Sequence, residues 1–232
     1  MEPSMFDTLL SLPLFQGLGH DDLTRILEST RLDFDTIEEG HVLHQQDQPC
    51  TGLLFLLEGK VISQRLSADR SWSVEEILAP PSVVGLEVLY GSTRHHLQTL
   101  TTASTCRLLF IDKRTISALT AYFEVFRLNV LNQLTTAVVR NELTDWLPAE
   151  ENLRGRIRAF MRAHVSRPAG RKHFNIPMWI LGRYLGEDKR YVSYALHEMQ
   201  EAGLLIMERR SIEVPSFETL LKADLGAIEK QQ

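Results

Sequence analysis

Two cysteines, Cys50 and Cys106, are all that this sequence contains. They are too few for the four thiolates of a common iron–sulfur cluster or an all-cysteine zinc site. In a reducing compartment they read as two separate thiols rather than a disulfide. No apolar run reaches the roughly 18 residues of a membrane span. The acidic start, with Glu2 and Asp7, lacks the basic region of a signal peptide, so the expected location is cytoplasmic, away from membranes. A serine nucleophile elbow, a P-loop, a dinucleotide fingerprint, internal repeats and low-complexity tracts are also missing. No catalytic residue and no metal ligand is assigned, and the chain reads as a binding protein rather than an enzyme.

What is present is an ordinary globular composition, 44% hydrophobic and 24% charged, over 232 residues. That length accommodates two domains. The net charge of −5 conceals a division. Residues 1–148 hold 11 basic and 19 acidic side chains, a net −8; residues 149–214 hold 12 and 8, a net +4; the tail from 215 adds −1. An acidic protein with one basic segment fits a nucleic-acid partner for that segment alone. A run such as Arg154–Arg162, taken by itself, fits a solvated helix face better than a phosphate track.

Along the chain, Met5–Leu12 and His20–Thr30 read as short helices. Strand-like runs follow at Arg31–Ile37, His41–Gln45, Leu53–Leu57, Lys60–Leu66, Trp72–Leu78, Leu97–Thr101 and Cys106–Ile111, divided by turns rich in Gly, Asp and Pro. Many short strands at this spacing predict an antiparallel sandwich or barrel. Lys113–Leu119 is a short helix and Tyr122–Leu147 a long one of about seven turns. Its stripe of Phe126, Val130, Leu131, Leu134, Ala137, Val138 and Leu143 is expected to cover the sandwich in part and to pair with a second subunit elsewhere. Pro148 ends it. The expected division is residues 1–121, a helix over 122–147, a hinge at 148–151 and a second domain over 152–232.

In that second domain Asn152–Val165 is helical and Ser166–Lys172 a loop. Ile176–Met207 then reads as two helices across a tight turn. Pro177 suits a helix start, and Ile180, Leu181 and Leu185 form an apolar stripe. Gly182, costly mid-helix by about 1 kcal/mol, implies that another helix crosses very closely there, and Gly186 turns the chain. Asp188 caps the next helix, whose inward residues are Val192, Leu196 and Met199. Its other face carries Lys189, Arg190, Tyr191, Ser193 and Tyr194. Gly203 closes it, and Leu204–Met207 and Ile212–Val214 read as a hairpin with Arg209 and Arg210 at its tip. This is a helix-turn-helix with a wing, the recognition helix running from about 188 to 201.

The order of sandwich, short helix, long helix, hinge and winged helix-turn-helix resembles the cyclic-AMP receptor protein/FNR superfamily of bacterial transcription regulators. Leu57-Glu58-Gly59-Lys60-Val61 is similar to the family's effector-domain hairpin. Leu185-Gly186 followed by Val192 is similar to its DNA-binding motif, and Leu12-Pro13-Leu14-Phe15-Gln16-Gly17-Leu18 to its usual start. The resemblance implies an α+β protein: an N-terminal antiparallel jelly-roll, a long dimerisation helix lined by Phe126, Val130, Leu131, Leu134 and Val138, and a C-terminal winged helix-turn-helix domain. It implies a homodimer on palindromic double-stranded DNA, and RNA polymerase as a partner if the protein activates transcription. Base-reading positions would fall on Lys189, Arg190 and Tyr194, with Ser193 beside them; Asp188, Tyr191 and Arg210 would lie nearer the phosphates, and Arg209 at the wing.

The effector pocket departs from that family pattern. Cyclic-nucleotide binders carry Gly-Glu at the start of a phosphate cassette and Arg-Ser, or a close variant, some ten residues later. Here the stretch is Gly85-Leu86-Glu87-Val88-Leu89-Tyr90-Gly91-Ser92-Thr93-Arg94-His95-His96-Leu97. Glu87 is displaced by one position, and Arg94 precedes two histidines. Cyclic AMP is therefore not the expected effector, the cysteine count excludes an FNR-type cluster, and the cofactor stays open. Glu87, Arg94, His95 and His96 are the candidate pocket residues, with an apo-active regulator as the alternative. Two other classes remain: a jelly-roll metal enzyme using His41, His44 and His95 or His96, and a ligand sensor whose C-terminal domain docks a protein. Adjacent histidines in a strand, and histidines three apart, point to opposite faces, which weighs against the metal site.

Overall fold

The computed structural model describes residues 5–30, 32–145, 150 and 152–225, with only the backbone of 143–145. The expected hinge at 148–151 lies outside these residues except for Glu150. Contacts divide the chain into two compact units. One comprises Met1–Ser63 and Leu78–Glu142, the other Gln64–Ile77 and Leu143–Gln232. The units do not follow chain order: the segment 64–77 belongs with the C-terminal residues.

The first unit opens with α1 (Met5–Ser11) and α2 (His20–Ser29). Strands β1 (Asp33–Ile37), β2 (Val42–His44), β3 (Gly52–Glu58) and the start of β4 (Val61–Leu66) follow. After the second unit's segment come β6 (Ser82–Val84), α3 (Leu86–Leu89), β7 (Thr99–Thr102) and β8 (Cys106–Asp112). One antiparallel sheet has the order β1-β8-β3-β6, and β4, β7 and β2 are neighbours in the opposing one. This is the expected sandwich. The hairpin joining β3 to β4 needs Gly59, which sits at φ +88 with Thr105 O 2.4 Å from where a Cβ would be. Strand β6 and helix α3 were not foreseen: three and four residues beside Pro80 and Pro81 are too short to show periodicity.

Helix α4 (Lys113–Tyr122) is capped by Asp112, whose carboxylate accepts from Arg114 N, Thr115 N and the Thr115 hydroxyl. Those bonds, the Thr115 hydroxyl first, hold its pKa down. A break at Phe123 precedes α5 (Glu124–Asp145). Phe126 and Val130 are buried with Phe15, Phe55 and Leu109 in this chain's own core, and Leu134 packs against it. These three, expected on a dimer seam, therefore serve first as the sandwich's cover. The outward apolar residues are Leu128, Leu131, Val138 and Val139, each more than half exposed. At about 100° per residue they lie, on average, roughly 150° around the helix from Phe126 and Val130. Leu128, Leu131, Thr135 and Val138 repeat at three and four residues, a heptad seam.

The second unit is built on α6 (Leu153–Ala163), β9 (Lys172–Asn175), α7 (Met178–Leu185), α8 (Lys189–Glu201), β10 (Ile206–Glu208), β11 (Ser211–Val214) and α9 (Phe217–Lys222). Its sheet runs β10-β11-β9-β5, all antiparallel, where β5 (Ser73–Leu78) comes from the segment 64–77. Its core gathers Ile157, Phe174, Leu181, Val192, Leu196, Met199, Ile212 and Phe217 together with Trp72 and Val74. Strand β9 begins at Lys172, where a loop was expected to end.

Candidate functional site

Two helices and a hairpin present the residues singled out in the sequence. Pro177 is the N-cap of α7 rather than its first helical residue, and Gly186 ends the helix at φ +67. What lies close to Gly182 is not the crossing helix expected but the turn that follows its own helix: a Cβ there would sit 2.7 Å from Glu187 O. Asp188 caps α8, its carboxylate accepting from Arg190 N at 2.8 Å. That carboxylate orders the first turn and would repel a phosphate, so Asp188 positions its neighbours.

Lys189, Arg190, Tyr191 and Tyr194 are exposed and Ser193 half-buried, while Val192, Ala195, Leu196 and Met199 face the core. Among the described residues the Arg190 side chain pairs only with Asp188, at 3.8 Å. At the hairpin, Glu208 opposes Ser211, leaving Arg209 and Arg210 as a two-residue turn. Arg210 takes φ +71, a conformation usual for Gly or Asn in such turns. Gln200 Oε1 accepts from Met207 N at 2.6 Å and ties the hairpin to α8; nothing in the sequence pattern signalled that bond.

Most of the remaining cations of the basic segment have other partners. Arg154, 4% exposed at its side chain, pairs with Glu198 at 2.6 Å and donates to Leu225 O. Arg156 pairs with Glu187 and donates to Leu185 O; Arg158 pairs with Glu150 and donates to Ala223 O. Arg171 pairs with Glu213, and Lys172 with Glu76. The run Arg154–Arg162 is thus largely an internal network joining α6 to the two helices. Among the described residues, Arg183, Lys189, Arg209 and Arg210 make no side-chain ion pair.

The candidate effector residues lie in the first unit. Glu87 is exposed in α3, which Gly85 opens at φ +98. Arg94 and His95 are exposed, and His96 is half-buried. Backbone bonds Cys50 N to Arg94 O, Asp47 N to His96 O and His96 N to Gln48 O hold the segment against the 47–50 turn. The His96 ring stacks on His44, centroids 3.6 Å apart and 12° from parallel. Burial, with the neighbouring His96, pushes the His44 pKa down to about 4; burial lowers that of His96 as well. His44 Nε2 is buried with no hydrogen-bond partner among the described residues. His41, just before β2, turns to Glu38 O instead, so His41 and His44 serve different surroundings. Among the described residues no group of three His, Cys, Asp or Glu converges as a metal site would. No helix among them is long and apolar enough to cross a membrane.

The residue after Arg94 is thus the exposed His95, the stacked imidazole is His96, and the Glu87 side chain is turned to solvent. Residues 34–122 match the family model of the cyclic nucleotide-binding domain. The catabolite activator protein of Thermus thermophilus is similar in structure over 93% of this chain and 97% of its own, with 21% identity and a TM-score of 0.52. The c-di-GMP responsive global regulator CLP of Xanthomonas campestris matches at 14% identity and a TM-score of 0.46, over 84% of this chain and 99% of its own. DNR of Pseudomonas aeruginosa matches at 18% and 0.43, over 97% and 96%. No curated protein is similar to the chain in sequence. Residues 34–122 therefore carry a cyclic nucleotide-binding domain by sequence, and the likeness to the Thermus structure, at 21% identity, is one of fold.

Proposed function

We propose that this protein is a dimeric, sequence-specific DNA-binding transcription regulator whose effector is not cyclic AMP, or which acts without one. One observation carries the reading. In a segment whose arginines are mostly matched by internal carboxylates and carbonyls, the cations left exposed cluster on the first turn of α8 and on the hairpin tip. Lys189 and Arg190 can donate to guanine O6 and N7, and Tyr194 and Ser193 can hydrogen-bond base edges. Tyr191, Arg209 and Arg210 then meet the phosphates, the last two from the wing. The exposed heptad of Leu128, Leu131, Thr135 and Val138 supports pairing of two α5 helices. Two recognition helices so joined read half-sites roughly one helical turn apart. If the protein activates transcription, RNA polymerase is the further partner.

The test is selection from a random duplex pool by the purified protein with no effector added. A two-fold symmetric motif is the expected result. A bound duplex without symmetry would remove the dimer, and an unenriched pool, with and without metabolite extract, would leave the protein-docking sensor as the better reading. Stoichiometric metal in purified protein would favour the jelly-roll metal enzyme instead.

A further inference from the structure

Helix α8 is one-sided in its hydrogen-bonding chemistry. Between Lys189 and His197 the sequence holds no Asp, Glu, Asn or Gln. The acids and the amide that border this run are engaged within the second unit. Asp188 Oδ1 accepts from Arg190 N at 2.8 Å, and Glu187 pairs with Arg156. Glu198, 15% exposed at its side chain, pairs with the buried Arg154 at 2.6 Å. Gln200, the one amide of the helix, accepts from Met207 N. Glu201 is exposed but ends the helix, about three turns beyond Arg190.

The exposed face offers donors and rings instead. Arg190, Tyr194 and His197 succeed one another at spacings of four and three on one stripe. At about 100° per residue, Lys189 and Ser193 flank that stripe on one side and Tyr191 on the other. Lys and Arg side chains carry donors only. The hydroxyls of Ser193 and Tyr194 donate or accept, as do the ring nitrogens of His197 according to tautomer, so none of these fixes a base by itself. In the major groove guanine sets two acceptors side by side, O6 and N7. Adenine pairs its N7 with an amino donor, and cytosine offers an amino donor alone.

We infer that this head is built to read guanine: Lys189 and Arg190 each fix one G·C pair in every half-site, and the Tyr194 ring covers a thymine methyl beside them. The inference deepens the DNA-binding reading and rests on it. Adenine and cytosine fail at the first two positions because their amino groups would meet the N–H groups of a cation, with no acceptor in reach. Each G·C pair is therefore read in one orientation, since turning it over exchanges two acceptors for a donor. The Tyr194 contact is apolar and gives the weaker preference.

The experiment uses the full chain, as wild type and as Lys189→Glu, Arg190→Glu, Lys189→Ala, Arg190→Ala, Tyr194→Phe and Tyr194→Ala. Each is put through selection from a random duplex pool and then measured on duplexes that differ by one base pair. A glutamate accepts from cytosine N4, and in the first turn of a helix it suits the macrodipole, so the melting curves of the charge reversals should stay in place. The wild type is expected to select two fixed G·C pairs per half-site and to lose about tenfold or more in affinity when either is turned over. Each Glu variant should select the same motif with one pair reversed, a different pair for each variant. Tyr194→Phe should keep the T·A preference that Tyr194→Ala loses. Reversal keeps the base composition of the duplex, and a preference for DNA shape alone would not turn over with one side chain. Where a Glu variant binds no duplex, the matching Ala variant decides: preference lost at one pair supports the assignment, and an unchanged motif overturns it. A symmetric wild-type motif without fixed G·C pairs overturns this inference alone. A wild type that enriches no duplex, with or without metabolite extract, overturns the DNA-binding reading and this inference with it.

Discussion

Arg190 leaves the first turn of α8 with 89% of its side chain exposed and only a 3.8 Å approach to Asp188. Among the described residues it makes no other ion pair. Arg190→Ala is expected to cost about 1–3 kcal/mol of discrimination at one base position, with the thermal midpoint unchanged; a collapsed melting curve would reveal a structural residue instead. His44 is its opposite, a half-buried base stacked on His96 with its pKa near 4 against an ordinary 6.5. Above pH 6.5 the folded and unfolded forms are both neutral there. As pH falls from 6.5 toward 4 the unfolded chain takes the proton first, so stability is lost across that window and levels off below it. His44→Phe keeps an aromatic ring on His96 without the titration. The stability gap between variant and wild type should therefore widen in the variant's favour from pH 7 to pH 4.5, and parallel curves would sink the assignment. The sequence marked Arg190 because helical spacing separates it from the core positions Val192 and Leu196. It could not mark the His44–His96 pair, which forms only when the 94–96 segment crosses the 47–50 turn.

At the scale of single elements, most of the fold was legible because its signals are local. Asp112 and Asp188 cap their helices as their residue types predict, and Gly59, Gly186 and Gly203 all take positive φ where turns were expected. Strand β9 was not legible: its buried Lys172 looks like a surface residue until Glu76, distant in sequence, is placed against it. Helix α5 was half legible, since a wide apolar stripe does not say which edge meets its own core. The structure separates the two edges. Leu134 packs against the sandwich, so charging it would confound folding with assembly, whereas Leu131 is 51% exposed. Leu131→Asp is expected to give a folded monomer by analytical ultracentrifugation, with operator binding lost and half-site binding kept; a dimer that still binds the operator would place the subunit interface elsewhere. In α7, Gly182→Ala would gain about 1 kcal/mol of helix propensity. It would also set a methyl 2.7 Å from Glu187 O, a backbone atom of the turn. Overpacking of this kind costs about 1–3 kcal/mol, and the net expectation is a lower unfolding midpoint in urea with the m-value unchanged.

For the whole molecule, charge counting from sequence overstates what DNA would meet. The basic segment's net +4 is a sum over twelve cations, yet Arg154, Arg156, Arg158, Arg171 and Lys172 already face carboxylates. Counterion release depends on the phosphates neutralised, not on the formal charge of the chain. The wing gives a clean way to separate the two. Arg210 sits at φ +71 in a two-residue turn, where a non-glycine side chain stores about 1 kcal/mol or more of strain. Arg210→Gly should therefore hold or raise the melting temperature while removing one phosphate contact from each subunit. The slope of log K against log salt should shrink by roughly 2 for the dimer, about 0.9 for each phosphate. Arg158→Ala should do the reverse. It removes the pair with Glu150 and the bond to Ala223 O, so stability falls while the salt slope stays where it was. Equal slopes for wild type and Arg210→Gly would mean that the hairpin tip does not touch the backbone. The reading head would then be α8 alone, its affinity set by the three or four side chains of one helical turn.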